Sequence, residues 1–272
     1  MAFNLNRNWA PLTGLYRGSD KFAGESDEAV RLFLSIIEER PTLTNAYTNV
    51  AYVLRETGRL RAAIDNLEKA IAQGLQTRTM LGRLGAYLQE AGETEESATL
   101  LEALIEAHPI YAEAYNYLGV SYARLGRTQD AVRALNKLLT LDSSYASGYA
   151  NLGSVYLGVG RIREAEENFR RALEIDPRLA GGWNGIGVIA ANEGHHEDAI
   201  TAWRRSVELD PRHYDTIYNL GTLLTKQNRF SEAIPYLEMF VETAPQDRYA
   251  ADIPKIRRLL SQLRTAWGNR SP

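Results

Sequence analysis

The sequence predicts an all-α protein, an α-α superhelix of stacked helix-turn-helix repeats, from three regularities that share one period. The clearest is a column of small turn residues that recurs every 34 positions. This column consists of Gly24, Gly58, Gly92, Gly126, Gly160 and Gly194, followed by Asn228. Glycine and asparagine are the residues that most readily adopt a left-handed backbone, which suits the end of a helix. A fixed period of this length indicates stacked copies of one small unit.

The second regularity is a set of apolar columns in rows of 34 residues that start at Ala10, Thr44, Arg78, Ala112, Ala146, Ala180 and Tyr214. Columns 4, 7, 8 and 11 share one face of a first helix, and columns 20, 24 and 27 share one face of a second helix. Small residues in column 8 let the two helices approach closely, and large residues in column 24 fill the space beside them. Column 8 reads Ala51, Gly85, Gly119, Gly153, Gly187 and Gly221, and column 24 reads Phe33, Leu67, Leu101, Leu135, Phe169, Trp203 and Leu237.

The third regularity is a proline column at position 32, where each second helix should end because proline cannot continue a helix. It consists of Pro41, Pro109, Pro177, Pro211 and Pro245. Leu75 and Ser143 interrupt the column. At Leu75 we expect the turn to rely on the preceding Gly74 instead.

The three columns together resemble the tetratricopeptide repeat, a family with a 34-residue helix-turn-helix signature. The resemblance covers about residues 25–247 and implies a solenoid of helix pairs. After these repeats, apolar residues at helical spacing predict a helix that caps the last repeat. The predicted order is an irregular segment 1–24, a half repeat 25–43, full repeats 44–77, 78–111, 112–145, 146–179, 180–213 and 214–247, a capping helix 248–266 and a disordered tail 267–272.

Residues 4–22 have no helical period and read as strand or loop, with turns at Ala10-Pro11 and Arg17-Gly18. They resemble the end of the catalytic domain in some bacterial sulfatases that carry a tetratricopeptide tail. This resemblance implies an inactive accessory part of a larger exported hydrolase, since the sulfatase nucleophile motif and carboxylate metal cluster are absent here. The other interpretation is an irregular leader that lies on the first helix.

The amino-acid composition argues against some classes of binding partner. The chain has 31 Lys and Arg against 34 Asp and Glu, a net charge of −3, whereas a nucleic-acid-binding domain is usually strongly basic. No apolar run is long enough for a membrane span. The absence of cysteine excludes disulfides and thiolate metal sites but leaves the compartment open. We expect a cytoplasmic protein by default, and a periplasmic or extracytoplasmic one if the chain belongs to an exported hydrolase.

The polar clusters predict no catalytic, cofactor-binding or metal-binding residues. His195 and His196 are adjacent in a turn, whereas helical metal sites need ligands at matched spacing such as i and i+4. The glycines of residues 181–187 follow no predicted strand, so they do not form a nucleotide-binding loop. Arginines at columns 25 and 26 form a basic strip that nearby acidic residues can neutralise. These arginines are Arg170, Arg171, Arg204 and Arg205.

The family resemblance implies a binding groove lined by columns 2, 5, 6, 9, 12 and 13 of the first helices. Asparagine recurs there, and its amide can match both the N–H and the C=O of an extended peptide. Tyrosines could add anchors, and basic residues could meet carboxylates. The predicted groove residues are Asn49, Tyr52, Arg55, Arg83, Asn116, Tyr117, Arg124, Asn151, Asn184, Tyr218, Asn219 and Lys226. In rows four and five the predicted groove is built of small residues, including Gly158, Gly181 and Gly185.

Three functional hypotheses remain at this point. The first is a non-catalytic scaffold that binds an extended peptide or a partner helix in the groove, with a protein or peptide partner and no cofactor. The second is the accessory tail of a sulfatase-like hydrolase. The third is a homo-oligomer formed through a repeat end or through the outer basic strip. The clamp that some family members use for an acidic C-terminus is not expected, because Thr48 and Tyr52 occupy its Lys and Asn positions.

Overall fold

The structure, a computed structural model, describes residues 20–246 and 248–268. These residues form fourteen helices and no strand, which confirms the all-α class. The chain divides into two compact units: unit 1 ends at Leu125 and contains α1 to α6, and unit 2 begins at Gly126 and contains α7 to α14. The helices are α1 (Asp20–Glu39), α2 (Thr44–Glu56), α3 (Leu60–Ala72), α4 (Arg78–Ala91), α5 (Thr94–Ala107), α6 (Ala112–Arg124), α7 (Thr128–Leu141), α8 (Ala146–Gly158), α9 (Ile162–Ile175), α10 (Ala180–Asn192), α11 (His196–Leu209), α12 (Tyr214–Lys226), α13 (Phe230–Thr243) and α14 (Ile253–Gly268).

The turn inside each repeat has the predicted left-handed residue. Gly92 ends α4 with φ 88°, and the following amide of Glu93 donates to the Leu88 carbonyl oxygen at 2.9 Å. In the last repeat Asn228 takes the same role with φ 57°. Gly74 has φ 83°, which confirms that glycine replaces the missing proline at that junction. The remaining members of the column with positive φ are Gly58, Gly126, Gly160 and Gly194.

In unit 1 the column-8 glycines permit the close helix contact that the sequence predicts. A Cβ added to Gly85 on α4 would lie 2.8 Å from the side chain of Leu101 on α5, closer than real Cβ atoms approach. Leu101 itself is fully buried, as are Ala63 and Leu67 on α3. Small and large side chains therefore alternate across this seam at the density of a protein interior.

Unit 2 uses the same arrangement with larger core residues. A Cβ on Gly153 would lie 3.1 Å from the Phe169 ring, and one on Gly221 would lie 2.6 Å from Leu237. Trp203, the largest member of column 24, packs against Gly187 and is buried. Columns 8 and 24 thus pack against each other in the pairs α4–α5, α8–α9, α10–α11 and α12–α13.

One recurring hydrogen bond links the aromatic residue of column 4 to the preceding proline column. The aromatic O–H or N–H donates to the carbonyl oxygen six residues earlier, just before the first helix of the repeat begins. The bond fixes the start of the first helix relative to the short turn that precedes it, and gives a partner to a carbonyl of that turn. The pairs are Tyr47 with Pro41 at 3.1 Å, Tyr115 with Pro109 at 3.1 Å and Trp183 with Pro177 at 2.9 Å.

Two terminal helices differ from the sequence prediction. Helix α1 begins at Asp20 and not at Glu25, so Gly24 lies inside a helix rather than at a turn. A single glycine costs a helix only about 1 kcal/mol relative to alanine, which does not stop it. Helix α14 begins at Ile253 and not at residue 248, because Pro254 is tolerated in the first turn of a helix and not further along.

The next comparison concerns the two ends of the chain. Trp267 and Gly268, placed in the tail by the sequence prediction, belong to α14. Residues 1–19 and 269–272, and with them most of the predicted irregular segment and the rest of the predicted tail, lie outside the described residues. No helix in the described part of the chain is long and apolar enough to span a bilayer.

Candidate peptide-binding groove

The candidate groove consists of the side chains that the first helices of successive repeats present at columns 2, 6, 9 and 13. We call these surfaces the inner face of unit 1, on α2, α4 and α6, and the inner face of unit 2, on α8, α10 and α12. Most of these side chains are exposed or partly exposed, while columns 4, 7 and 8 of the same helices are largely buried. Each unit therefore has a row of accessible side chains that runs across its successive first helices.

On the inner face of unit 1, Arg83 connects two first helices. Its guanidinium carbon lies 6.0 Å from the centre of the Tyr52 ring, a cation–π distance. Its Nη1 donates to the Thr48 carbonyl oxygen on α2 at 3.5 Å. Asn49, one turn before Tyr52, is exposed. A basic, an aromatic and an amide group are thus adjacent on this surface.

Arg55 forms the second connection on the inner face of unit 1. Its Nε donates to the Glu90 carboxylate on α4 at 2.8 Å, and its Nη1 pairs with Glu56 at 2.6 Å. From the sequence, Arg55 is predicted to bind a carboxylate of the ligand. In the structure two carboxylates of the chain already occupy it, so a ligand carboxylate would have to displace one of them.

Gln89 is a structural residue that the sequence analysis missed. Its buried amide donates to the Tyr117 carbonyl oxygen at 3.0 Å and to the Ser121 hydroxyl at 2.9 Å, both on α6. Arg124, from α6, donates back to the Gln89 carbonyl oxygen. A lone glutamine at a groove column gives no sequence sign of this role, because the role depends on the position of the next repeat.

Column 5 does not belong to the accessible surface in unit 1, and Asn116 corrects the predicted amide row. Asn116 is 7% exposed, and Thr48 at the same column is also 7% exposed. A Cβ on Gly82, the third member, would lie 3.2 Å from the Tyr111 ring. The column faces the neighbouring repeat, so its side chains pack between helices. Tyr117, at column 6, is partly exposed and its hydroxyl donates to Glu113 at 3.1 Å.

On the inner face of unit 2, the predicted residues divide into accessible and structural ones. Lys226 is exposed, and Asn151 and Asn219 are partly exposed. Asn184 is structural: its Oδ1 accepts the Thr216 hydroxyl at 2.8 Å and its carbonyl oxygen accepts Trp203 Nε1 at 3.3 Å. Tyr218 packs on Phe240 with ring centres 5.4 Å apart.

The small residues on the inner face of unit 2 also fall into accessible ones and ones that serve helix packing. Gly158 and Gly181 have open space where a Cβ would be, so a ligand could approach the backbone there. Gly185 is different, since a Cβ at this position would overlap the ring of the buried Phe169. Gly185 therefore serves the packing of α10 on α9, contrary to the predicted groove role.

Outside the inner faces, several arginines are paired with acidic side chains of the second helices. The predicted neutralisation of the arginine strip is confirmed by Arg170 with Glu166 at 2.6 Å, Arg171 with Glu174 at 2.9 Å and Arg205 with Glu208 at 3.0 Å. His195 lies 3.5 Å from Glu193 on the surface. Among the described residues, no group of three His, Asp or Glu side chains could hold a metal ion.

The most strongly shifted carboxylate also lies in such a surface pair. Arg229 and Arg204 donate hydrogen bonds to Glu232 and lower the pKa of its carboxyl from 4.5 to about 2. Arg229 in addition binds Glu197 on α11 at 2.8 Å. This cluster joins the second helices α11 and α13 on the outer side of the repeats, away from both inner faces.

The stacked helix pairs, their left-handed turns and the accessible inner faces define a helical-repeat protein. Models of the tetratricopeptide repeat match residues 44–72, 83–146, 146–179 and 186–261. The chain belongs to the tetratricopeptide repeat family. No curated protein matches its sequence.

Solved structures share this fold at low identity. A chain of the APC/C hetero-tetramer Cut9-Hcn1 is 15% identical with a TM-score of 0.71, over 89% of this chain and 46% of that one. The thermophilic TPR protein TTC0263 of Thermus thermophilus is 19% identical with a TM-score of 0.61, over 67% of this chain and 99% of that one. The chain thus spans about half the length of the first protein.

Proposed function

We propose that this protein is a non-catalytic interaction scaffold that binds an extended peptide or a partner helix on its inner faces. One observation carries the proposal. Accessible amide, tyrosyl and basic side chains recur at column 6 of successive first helices, in Asn49, Arg83, Tyr117, Asn151 and Asn219. The arginines of the outer strip are instead paired with acidic residues of the second helices. These features favour the repeated inner surface as the one that meets a partner.

The spacing of the repeats supports an extended peptide as the ligand. Packed helices lie about 8–10 Å apart. An extended chain advances about 3.3 Å per residue, so neighbouring first helices meet a bound peptide about every third residue. An asparagine amide donates and accepts at once and can pair with a peptide group regardless of its side chain. Asn49 in unit 1 and Asn219 in unit 2 are at least partly exposed and are placed for such contacts.

Selection from a phage-displayed library of random 12-residue peptides tests the proposal. The selected peptide is then titrated against the wild type, Asn49→Ala, Asn219→Ala and a control, Asn136→Ala, which lies on the outer column 25 of α7. One lost hydrogen bond of about 1 kcal/mol weakens binding about five-fold. We expect that loss from at least one inner-face variant and none from the control. Selection of no peptide, or equal affinity for all four proteins, would contradict the proposal.

We do not propose the accessory tail of a sulfatase-like hydrolase. Its resemblance rests on residues 4–22, almost all of which lie outside the described part of the chain. The matched family models are all tetratricopeptide repeats. Self-association through a repeat end stays a prediction, and light scattering over a range of protein concentrations tests it, since a constant monomer mass would exclude it.

A further inference from the structure

A cavity of about 480 Å³ in unit 2 is lined by residues of α7, α8 and α9. Its lining includes two aromatic rings of α8, Tyr149 and Tyr156, and two carboxylates of α9, Glu164 and Glu167. Helix α7 contributes Asn136 at column 25. None of these five residues belongs to the columns that form the inner face of unit 2, so the cavity is a separate site.

The residue at column 25 explains why this cavity is open. In unit 1, Glu102 at this column reaches the next repeat and accepts the Tyr122 hydroxyl of column 11 at 2.7 Å. In unit 2, Arg204 at this column reaches the next repeat and donates to Glu232 of column 19. Asn136 is shorter and exposed, and its side chain makes no hydrogen bond to any described residue. The space that Glu102 and Arg204 cross elsewhere is therefore left empty beside Asn136.

The tyrosines of the cavity are more accessible than their counterparts in unit 1. Tyr115 and Tyr122 occupy columns 4 and 11 of the last repeat of unit 1 and are each 9% exposed. Tyr149 and Tyr156 occupy the same columns of the next repeat and are both partly exposed. The cavity thus presents to solvent two rings that the preceding repeat buries.

The cluster around Glu232 shows which group fits beside a column-19 carboxylate. Glu232 accepts hydrogen bonds from two arginines, Arg229 at column 16 and Arg204 from the preceding second helix. Glu164 is the corresponding carboxylate of the cavity. Among the described residues it accepts a side-chain hydrogen bond from one arginine, Arg161 at column 16, at 2.8 Å. The position that corresponds to Arg204 has no arginine here, because column 25 holds an asparagine.

Arg161 also shows that the tyrosines of the cavity accept a guanidinium. Its guanidinium carbon lies 4.5 Å from the centre of the Tyr156 ring, a cation–π distance. A planar guanidinium stacks on such a ring and bonds both oxygens of a carboxylate, whereas a lysine ammonium does neither as well. The lining therefore favours arginine over lysine.

The charges of α9 leave one carboxylate of the cavity without a partner. Arg161 neutralises Glu164, and Arg171 is paired with Glu174 at 2.9 Å. Glu167 is exposed, and within the described part of the chain it forms no ion pair. The lining thus has an excess negative charge, which complements a cationic ligand.

We propose that this cavity binds an arginine side chain of a partner protein, in the position that Arg204 takes beside Glu232. The guanidinium lies against the tyrosine rings and pairs with Glu167 and Glu164. A volume of about 480 Å³ is within the range of small-ligand sites and holds this side chain together with a short stretch of its backbone. A partner bound here does not compete with a peptide on the inner face.

A titration with the tripeptide acetyl-glycyl-arginyl-glycinamide, followed by amide NMR, tests the proposal. We expect saturable shifts at Glu167 and Asn168, and an affinity at least five-fold higher than for the same peptide with lysine. Glu167→Gln should weaken binding about five-fold, the effect of one lost charged contact. Glu242→Gln is the control, because it removes the same charge from an exposed position on α13 and should leave the affinity unchanged.

A second variant supplies the arginine from the chain itself. Asn136→Arg should abolish binding of the tripeptide, since its side chain reaches the cavity as Arg204 reaches Glu232. Carboxyl-carbon NMR should then show a lower pKa for Glu164 than in the wild type. Asn136→Gln, which adds no charge, should leave both the binding and the pKa unchanged. A lowered pKa together with unchanged tripeptide binding would overturn the proposal.

The other outcomes are equally decisive. Absence of saturable shifts around the cavity, or equal affinity for the arginine and lysine peptides, would overturn the proposal. Equal weakening by Glu167→Gln and Glu242→Gln would show an unspecific attraction of charges. Asn219→Ala, on the inner face, should leave the titration unchanged, so a failure of this site is distinct from a failure of the inner-face proposal.

Discussion

The first helices of the two units make different kinds of contact on their inner faces. In unit 1, long polar side chains cross from one first helix to the next: Arg55 to Glu90, Arg83 to the Thr48 carbonyl and Gln89 to the Tyr117 carbonyl. In unit 2 the corresponding columns hold short residues, and α10 approaches α9 through Gly182 and Gly185. In unit 1 several hydrogen bonds and an ion pair connect the first helices, whereas in unit 2 the hydrogen bond from Thr216 to Asn184 stands beside the close apolar contact of α10 with α9.

Because of this difference, the two inner faces present different chemical groups to a ligand. A partner of unit 1 meets charged groups that already have partners, so binding must exchange one ion pair for another and gains little net free energy. A partner of unit 2 meets open backbone at Gly158 on α8 and Gly181 on α10, and the exposed Lys226 on α12. We therefore expect bulky side chains to bind unit 2 and carboxylates to compete with Glu90 in unit 1.

The largest expected effect comes from a methyl group in the glycine contact of unit 2. Gly185→Ala places a Cβ against the buried Phe169 ring, and overpacking of this kind costs about 2–3 kcal/mol. Gly181→Ala, four residues earlier on the same helix, adds the methyl in open space and should stabilise the helix by up to about 1 kcal/mol. Urea unfolding of both variants measures the difference. Equal stability would mean that Gly185 is a groove residue after all.

The matching test in unit 1 removes a hydrogen-bonding side chain. Gln89→Met keeps the volume but loses two hydrogen bonds of a buried side chain, to the Tyr117 carbonyl and to the Ser121 hydroxyl, at a cost of about 1–2 kcal/mol. Gln227→Met, at an exposed position after α12, is the control and should change the free energy of unfolding by less than about 0.5 kcal/mol. If the two variants unfold at the same urea concentration, the inner face of unit 1 does not depend on hydrogen bonds.

A third test addresses the turns, where the units also differ. Unit 1 uses glycine at both of its internal turns, whereas the last turn of unit 2 uses Asn228 with φ 57°. Asn228→Ala should cost about 1 kcal/mol, since alanine resists the left-handed conformation, and Asn228→Gly should cost nothing or stabilise slightly. Thermal unfolding of both variants gives the ranking. If Asn228→Ala is more stable than the wild type, the left-handed φ does not determine which residue this turn accepts.

The smallest expected effect concerns the charges of unit 2, which pair on the outer helices rather than on the inner face. Because the folded pKa of Glu232 is about 2, below its ordinary value of 4.5, the stabilisation by Arg229 is present above pH 4.5 and disappears as pH falls towards 2. Carboxyl-carbon NMR should follow this titration, with Glu232→Gln providing the assignment. In Arg229→Gln the pKa should move upwards, and an unmoved pKa would show that Arg229 is not its cause.

The sequence predicts the repeat but not all of the surface. The period determines column 8 and column 15, because a close helix contact and a left-handed turn each exclude most residue types, and Gly85 and Asn228 are where the columns place them. The accessible groove residues are harder to predict, because a helical wheel places column 5 between columns 9 and 12, which are themselves groove columns. Only the packing around each helix decides that Asn116 is buried while Asn49 is exposed. The same dependence hides the role of Gln89.

The hydrogen bond from the column-4 aromatic to the preceding proline carbonyl has a consequence for chain length. At the junctions that have both residues, it joins the end of one helix pair to the start of the next, as in Trp183 with Pro177. A duplicated or deleted block of 34 residues would bring or remove one complete junction and leave its neighbours intact. Homologous chains should therefore vary in length by whole multiples of this block, and a spliced extra copy of residues 146–179 should yield a longer, still folded protein.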